Sequence, residues 1–186
     1  MADKPEKNID LDRRNFLFGA FRRRSAEDAA EPAPAQAATD AAFPVLKEAN
    51  EAFAAGDWER ACEKYREALK AESGNTEARM RLGRAFYRQG KFIQAKVEFE
   101  RVLHDRKKDN EASLHLGLVL ARLDRADKAA VVWRQYFDPE ATLVQREINV
   151  QLAFLEDEAE RPTGAQMADA VEAALERQKA QAGATA

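Results

Sequence analysis

One spacing governs what this chain can become. Leu82-Gly83, Phe86, Gly90, Phe92, Ala95, Phe99 and Leu103 form a frame that returns 34 positions away in both directions. Upstream it falls on Ala49, Ala52, Gly56, Trp58, Ala61, Tyr65, Ala68 and Leu69; downstream on Leu116-Gly117, Leu120, Asp124, Ala126, Ala129, Trp133 and Tyr136. A period of this size signals tandem supersecondary units, each too small to bury its apolar face alone, so that stacking supplies the core.

Each unit reads as two antiparallel helices. Small residues at Ala49, Gly83 and Gly117 opposite Ala61, Ala95 and Ala129 let the two backbones approach closely. Tyr65, Phe99 and Trp133 recur once per unit on the second helix, where they can fill the wedge between hairpins. Gly56 and Gly90 stand at the hairpin turn, where a left-handed residue ends the first helix at no steric cost. Asp124 holds that place in the third unit and tolerates the conformation less well. Composition agrees with an all-α fold: 45% of residues are apolar, 34% are charged, and Ala, Glu, Arg and Leu are prominent.

The frame closely resembles the tetratricopeptide repeat. That resemblance implies an α-solenoid of three helical hairpins, at about residues 42–75, 76–109 and 110–143, and a protein-interaction role. The proline that usually closes such a repeat is replaced by Ser73, Lys107 and Ala141. The inter-repeat turns then fall to Ser73-Gly74-Asn75 and Asp109-Asn110, and Asp138-Pro139-Glu140 reads as a helix start with proline at its first position. Beyond the third repeat, a helical stripe through Val144, Ile148, Leu152 and Leu155 is followed by a break at Pro162-Thr163-Gly164. A last helix opens on a capping box, Thr163 with Gln166. Residues 144–182 thus read as a degenerate capping hairpin, with 183–186 frayed.

The family geometry turns the first helix of each repeat toward a concave groove. It implies a partner-binding surface of Lys47, Asn50, Phe53, Met80, Arg81, Arg84, Tyr87, Arg88, His115 and Arg122, with Phe43, Leu46, Glu77, Glu111, Leu114 and Leu118 beside them. Arginine forks suit carboxylates and stack on aromatics, so a partner segment with acidic residues around apolar anchors is expected. The bland alternative has Arg81, Arg84 and Arg88 solvating an exposed face and pairing with nearby glutamates. The five-residue clamp by which chaperone-binding relatives hold a C-terminal carboxylate is mostly missing. Asn50 fits, but Leu46, Arg81, Glu111 and His115 occupy the other places, so the resemblance does not imply binding of heat-shock chaperone tails.

Ahead of the repeats, residues 1–24 form a basic and aromatic tail. Arg13 and Arg14 followed by Phe16, Leu17, Phe18 and Phe21 resemble the twin-arginine export motif, but Arg22, Arg23 and Arg24 interrupt the apolar core such a signal needs. Read from its residues, the tail is a short amphipathic turn suited to reversible docking on a protein or a membrane surface; the other reading is a solvated tail that touches nothing specific. Residues 25–42 lack any large apolar side chain and are expected to be a disordered Ala/Pro-rich linker.

The rest of the sequence argues against chemistry of its own. A net charge of −3 does not draw the molecule to nucleic acid. Cys62 is the one cysteine, and His104 and His115 have no third ligand at metal spacing. No cofactor, metal site or catalytic residue is expected. The chain reads as a non-enzymatic, cytoplasmic scaffold or assembly factor, peripheral to the inner membrane if the tail docks there. Two alternatives stand beside it: a self-assembling array in which one copy's tail enters the next copy's groove, and an exported periplasmic repeat protein.

Overall fold

The computed structural model describes residues 34–157 and 159–184, with side chains from residue 43 onward. One compact unit runs from Ala38 to Ala186; of the other, Met1–Ala37, only residues 34–37 are among those described. The tail with Arg13, Arg14, Phe16, Leu17, Phe18 and Phe21 lies outside the described residues.

Every regular element among them is an α-helix: α1 (Pro34–Ala54), α2 (Trp58–Ala71), α3 (Thr76–Arg88), α4 (Phe92–Asp105), α5 (Asn110–Arg122), α6 (Ala126–Trp133), α7 (Thr142–Glu156) and α8 (Gly164–Ala184). Consecutive helices pack from α2 onward, giving the α-solenoid of hairpins that the sequence implied. The termini are chemically specified. Asp57, Asn75 and Asp109 cap α2, α3 and α5 by accepting from the backbone N–H groups of Arg60, Ala78 and Ala112. Thr163 and Gln166 form the reciprocal capping box at the start of α8. The hairpin turns are left-handed at Gly56, Gly90 and Asp124, with φ of 76°, 71° and 56°.

The core explains why small residues recur. A β-carbon on Gly83 would stand 2.7 Å from Cε1 of Phe99, and one on Gly117 would collide with the indole of Trp133. In the second and third repeats the aromatic of the second helix therefore seats on the glycine of its own first helix. Trp133 also donates from Nε1 to the Leu114 carbonyl at 3.2 Å, and Tyr65 donates from its hydroxyl to Asn50 Oδ1 at 2.7 Å. The wedge between hairpins is reached by one of the three aromatics in a defined way, the Phe99 ring stacking on His115 of the next repeat at 5.4 Å. Tyr65, Phe99 and Trp133 are fully buried.

Two expectations about boundaries are corrected. The linker expected to run to residue 42 gives way to helix from Pro34. Proline is compatible with a first helical turn, and the alanines after it are the strongest helix formers. The helix start expected at Asp138-Pro139-Glu140 is a turn instead: Asp138 Oδ1 accepts from the N–H groups of Glu140 and Ala141, and α7 begins at Thr142. An Asp side chain that captures the N–H two residues on builds an Asx-turn as readily as a cap.

The closing pair also departs from a plain fourth hairpin. α8 packs on α7 and also on α5, the first helix of the third repeat. Gly164 makes this possible, since a β-carbon there would run into the Ala121 carbonyl oxygen at the end of α5. Met167, Ala168, Val171 and Ala174 are buried along the contact face.

Candidate functional site

α3, α5, the facing ends of α1 and α2, and the middle of α8 from Asp169 to Lys179 line a cavity of about 580 Å³. Phe53, Trp58, Leu114, Leu118 and Leu175 supply its apolar lining. The Phe53 and Trp58 rings meet edge-on with centroids 5.1 Å apart. The Arg84 guanidinium lies 5.4 Å from the Phe53 ring centre and donates to Glu111 Oε1 at 3.0 Å, so this one side chain bridges all three repeats.

Deeper toward the first repeat, Asn50 Oδ1 accepts from both Tyr65 and Arg81, the latter at 2.9 Å, while Arg81 Nε donates to Glu77 at 2.8 Å. Asn50 is the residue that fits a carboxylate clamp, and its oxygen is committed to these internal donors.

The opposite wall is α8. Its acidic residues meet the basic stripe of the repeats: Arg122 Nη2 donates to Glu172 Oε2 and pairs with Asp169 Oδ1, each at 2.7 Å, and Arg88 stands 3.9 Å from Glu176. Between them, the Tyr87 hydroxyl donates to Glu172 Oε1 and accepts from Arg122 Nε. Burial and then the bond to Glu172 push the Tyr87 phenol well above its ordinary range, so it stays a donor. Burial works against the Arg122 charge, but the bond to Tyr87 and the carboxylates outweigh it and hold the guanidinium firmly protonated.

His115 sits at the base of the cavity with a side chain 16% exposed. Burial, and then the positive charges of Arg84, Lys179 and Arg88, lower its pKa from 6.5 to about 3, so the ring is neutral at ordinary pH. Its Nδ1 is buried and has no protein hydrogen-bond partner. The ring contributes an apolar face and one polar atom, not a charge. Away from the cavity, Cys62 is buried, accepts a hydrogen bond from Gln89 Nε2 at 3.3 Å, and has its thiol pushed by burial up to about 11. That protonated thiol is a poor nucleophile. Among the described residues no group of three or more His, Cys, Asp or Glu is placed to hold a metal ion.

The residues expected in the groove thus divide. Phe53, Arg84, Tyr87, Arg88 and His115 line the cavity together. Lys47 and Asn50 line a separate shallow depression along α1 with Phe43 and Leu46. Arg81 and Arg122 are tied into the hydrogen-bond networks above. Met80 is a correction: it is 4% exposed and belongs to the core cluster, so its side chain is packed in the interior and not displayed in the groove. The sequence reading missed Asp169, Glu172, Leu175, Glu176 and Lys179, the whole α8 wall. The stripe of acids on that helix was the available signal, and it reads identically for a helix facing water.

Among the described residues no helix is long and apolar enough to cross a membrane. No curated protein matches the chain. Residues 52–115 match the family described as Tetratricopeptide repeat, whose members generally mediate protein–protein interaction or scaffolding. The matched segment runs from the end of the first hairpin's opening helix into α5 and includes the Phe99-on-Gly83 contact, so over residues 52–115 sequence match and packing agree on tetratricopeptide-type hairpins.

Proposed function

We propose that the protein is an interaction scaffold or assembly factor that holds a segment of a partner protein in the cavity between its repeats and α8. The carrying observation is the cavity itself, which has apolar side chains within and charged side chains at its rim, the arrangement that buries an anchor while leaving polar flanks wet. The internal carboxylates refine the partner's chemistry. Arg84 and Arg122 already hold Glu111, Asp169 and Glu172, so apolar anchors carry the affinity and acidic flanking residues compete for Arg88 and Lys179 at the rim.

The tail is a second docking element in this reading, supported by Phe16, Leu17, Phe18 and Phe21 set between arginines. The interrupted apolar stretch after Arg13-Arg14 supports a cytoplasmic protein whose tail contacts a membrane surface or a second protein.

The test compares partner capture from native lysate by the full chain, by Leu175→Arg, which places a charge in the cavity, and by deletion of residues 1–24. Proteins lost with Leu175→Arg and retained on deletion are the groove's partners. Recovery of the same set by all three, with helicity unchanged, contradicts the proposal.

A further inference from the structure

Outside the groove, α7 presents a face that does not behave like a solvated surface. Phe137, Val150 and Phe154 are exposed there, at 67%, 37% and 41% of their area. Arg146, Asn149, Val150 and Ala153, together with Phe137, line a depression of about 520 Å³. Those four α7 positions are related as i, i+3, i+4 and i+7, the set that forms the hole for a knob from a facing helix.

The charges at the ends of this face are also set aside. Glu147 pairs with Arg177 at 4.0 Å and Glu156 with Arg134 at 3.1 Å, whereas Arg146 and Asp157 have no ion-pair partner among the described residues. Arg146, Val150 and Ala153 on α7 and Asp157, the residue that ends the helix and whose Oδ1 accepts from the Ala159 N–H at 2.9 Å, follow one another at the alternating four- and three-residue spacing of a coiled-coil seam, with a cation at one end and an anion at the other.

We propose that a second copy of this chain docks here, α7 against α7 in antiparallel orientation about a twofold axis passing between residues 151 and 152. That register sets Arg146 against the second copy's Asp157 and Val150 against its Ala153. It also brings Phe154 over the hole formed by the second copy's Arg146, Asn149, Val150 and Ala153, which Phe137 closes. Each contact is made twice, as an isologous interface requires. The seam's self-complementarity favours a second copy over an unrelated helix, because the same four positions supply both partners of every pair. The interface leaves the groove of each copy open, so the assembly presents two binding sites.

Charge exchange tests this in the full chain, with sedimentation equilibrium as the readout. The unaltered protein forms dimers that dissociate on dilution. Arg146→Glu opposes Glu to Asp157, and Asp157→Arg opposes Arg to Arg146, so each variant alone associates at least ~10-fold more weakly. Mixing the two variants restores dimers, since across the axis one ion pair is then the native Arg146–Asp157 pair and the other re-forms with its charges exchanged. Phe154→Ala weakens association without altering helicity. Monomers at every concentration, dimers indifferent to either charge change, or failure of the mixture to recover would each overturn the interface.

Discussion

The third repeat's first helix, α5, is gripped from two sides by opposite means, and the contrast separates packing that fills space from packing that leaves a cavity. On one side α6 closes its hairpin with Trp133 pressed onto Gly117, a contact without charge in which shape is backed by one hydrogen bond to the Leu114 carbonyl. On the other side α8 begins just as tightly, with Gly164 under the Ala121 carbonyl and Met167 and Val171 buried, but then changes character. Its outer half meets the repeats through Asp169, Glu172 and Glu176 against Arg122, Tyr87 and Arg88, around a cavity. Close packing fixes the hairpin; polar contact leaves a cavity.

The sharpest way to break the contrast is to remove the shape. Trp133→Ala empties a fully buried site and leaves the Leu114 carbonyl without its donor, and should destabilise the fold by about 3–5 kcal/mol in urea titration. A loss under about 1 kcal/mol would mean that α6 is held by something other than its aromatic.

Next in size is the pH response of His115, which stacks on Phe99 and lines the cavity. Its folded-state pKa of about 3 is below the ordinary 6.5, so the unfolded chain takes up the proton first. Stability from this group is therefore full above about 6.5 and is lost as pH falls toward about 3. The loss is on the order of 1–2 kcal/mol between about pH 7 and pH 5. Arg84, Lys179 and Arg88 oppose the charge, and Glu111, 3.9 Å from Nε2, favours it. His115→Phe keeps a ring against Phe99 and should flatten this part of the melting-temperature profile; an unchanged slope would show that His115 is not its source.

A smaller effect is expected on the polar side. Arg122→Met keeps the buried stem but leaves Glu172 and Asp169 without their cation. Because both carboxylates are partly or largely exposed, the expected cost is about 1 kcal/mol, with salt dependence reduced relative to the unaltered protein. The larger consequence is at the cavity, whose α8 wall should loosen, seen as faster amide exchange at residues 169–179. Exchange unchanged there would make the network ornamental.

What the sequence revealed follows this same division. That Gly83, Gly117, Phe99 and Trp133 are packing positions was readable because a repeat prints its packing several times in one frame, but the frame assigned the aromatics to the wedge between hairpins and not to the glycines of their own hairpins; Asn75, Asp109 and the Thr163–Gln166 box were readable because capping is a local exchange between neighbours in the chain. The α8 wall was not. A carboxylate such as Glu172 meets Arg122 fifty positions away, and a helix face rich in acids carries the same pattern whether water or a basic groove lies opposite. The Asp138 turn was misread for a related reason: one side chain serves equally well as a cap and as an Asx-turn, and residues farther along decide between them. Pro34 hid the start of α1 because proline marks both linkers and first turns.

The smallest effect returns to the hairpin turns, where the third repeat differs from the other two. Gly56 and Gly90 hold their left-handed positions without strain, while Asp124 holds φ 56° with a side chain attached. An L-residue there carries a steric cost that glycine lacks, offset in part by glycine's greater freedom in the unfolded chain. Asp124→Gly should therefore stabilise the protein by about 0.5 kcal/mol. The converse change, Gly90→Ala, meets no neighbour within 4 Å and so costs only its backbone strain, about 1 kcal/mol. The two changes have opposite signs because both act through the same dihedral angle, and comparing their urea midpoints isolates it. If Asp124→Gly destabilises instead, the aspartate makes a contact at this turn worth more than the strain it bears, and the turn beside Gly164 belongs to the α8 grip rather than to the hairpin.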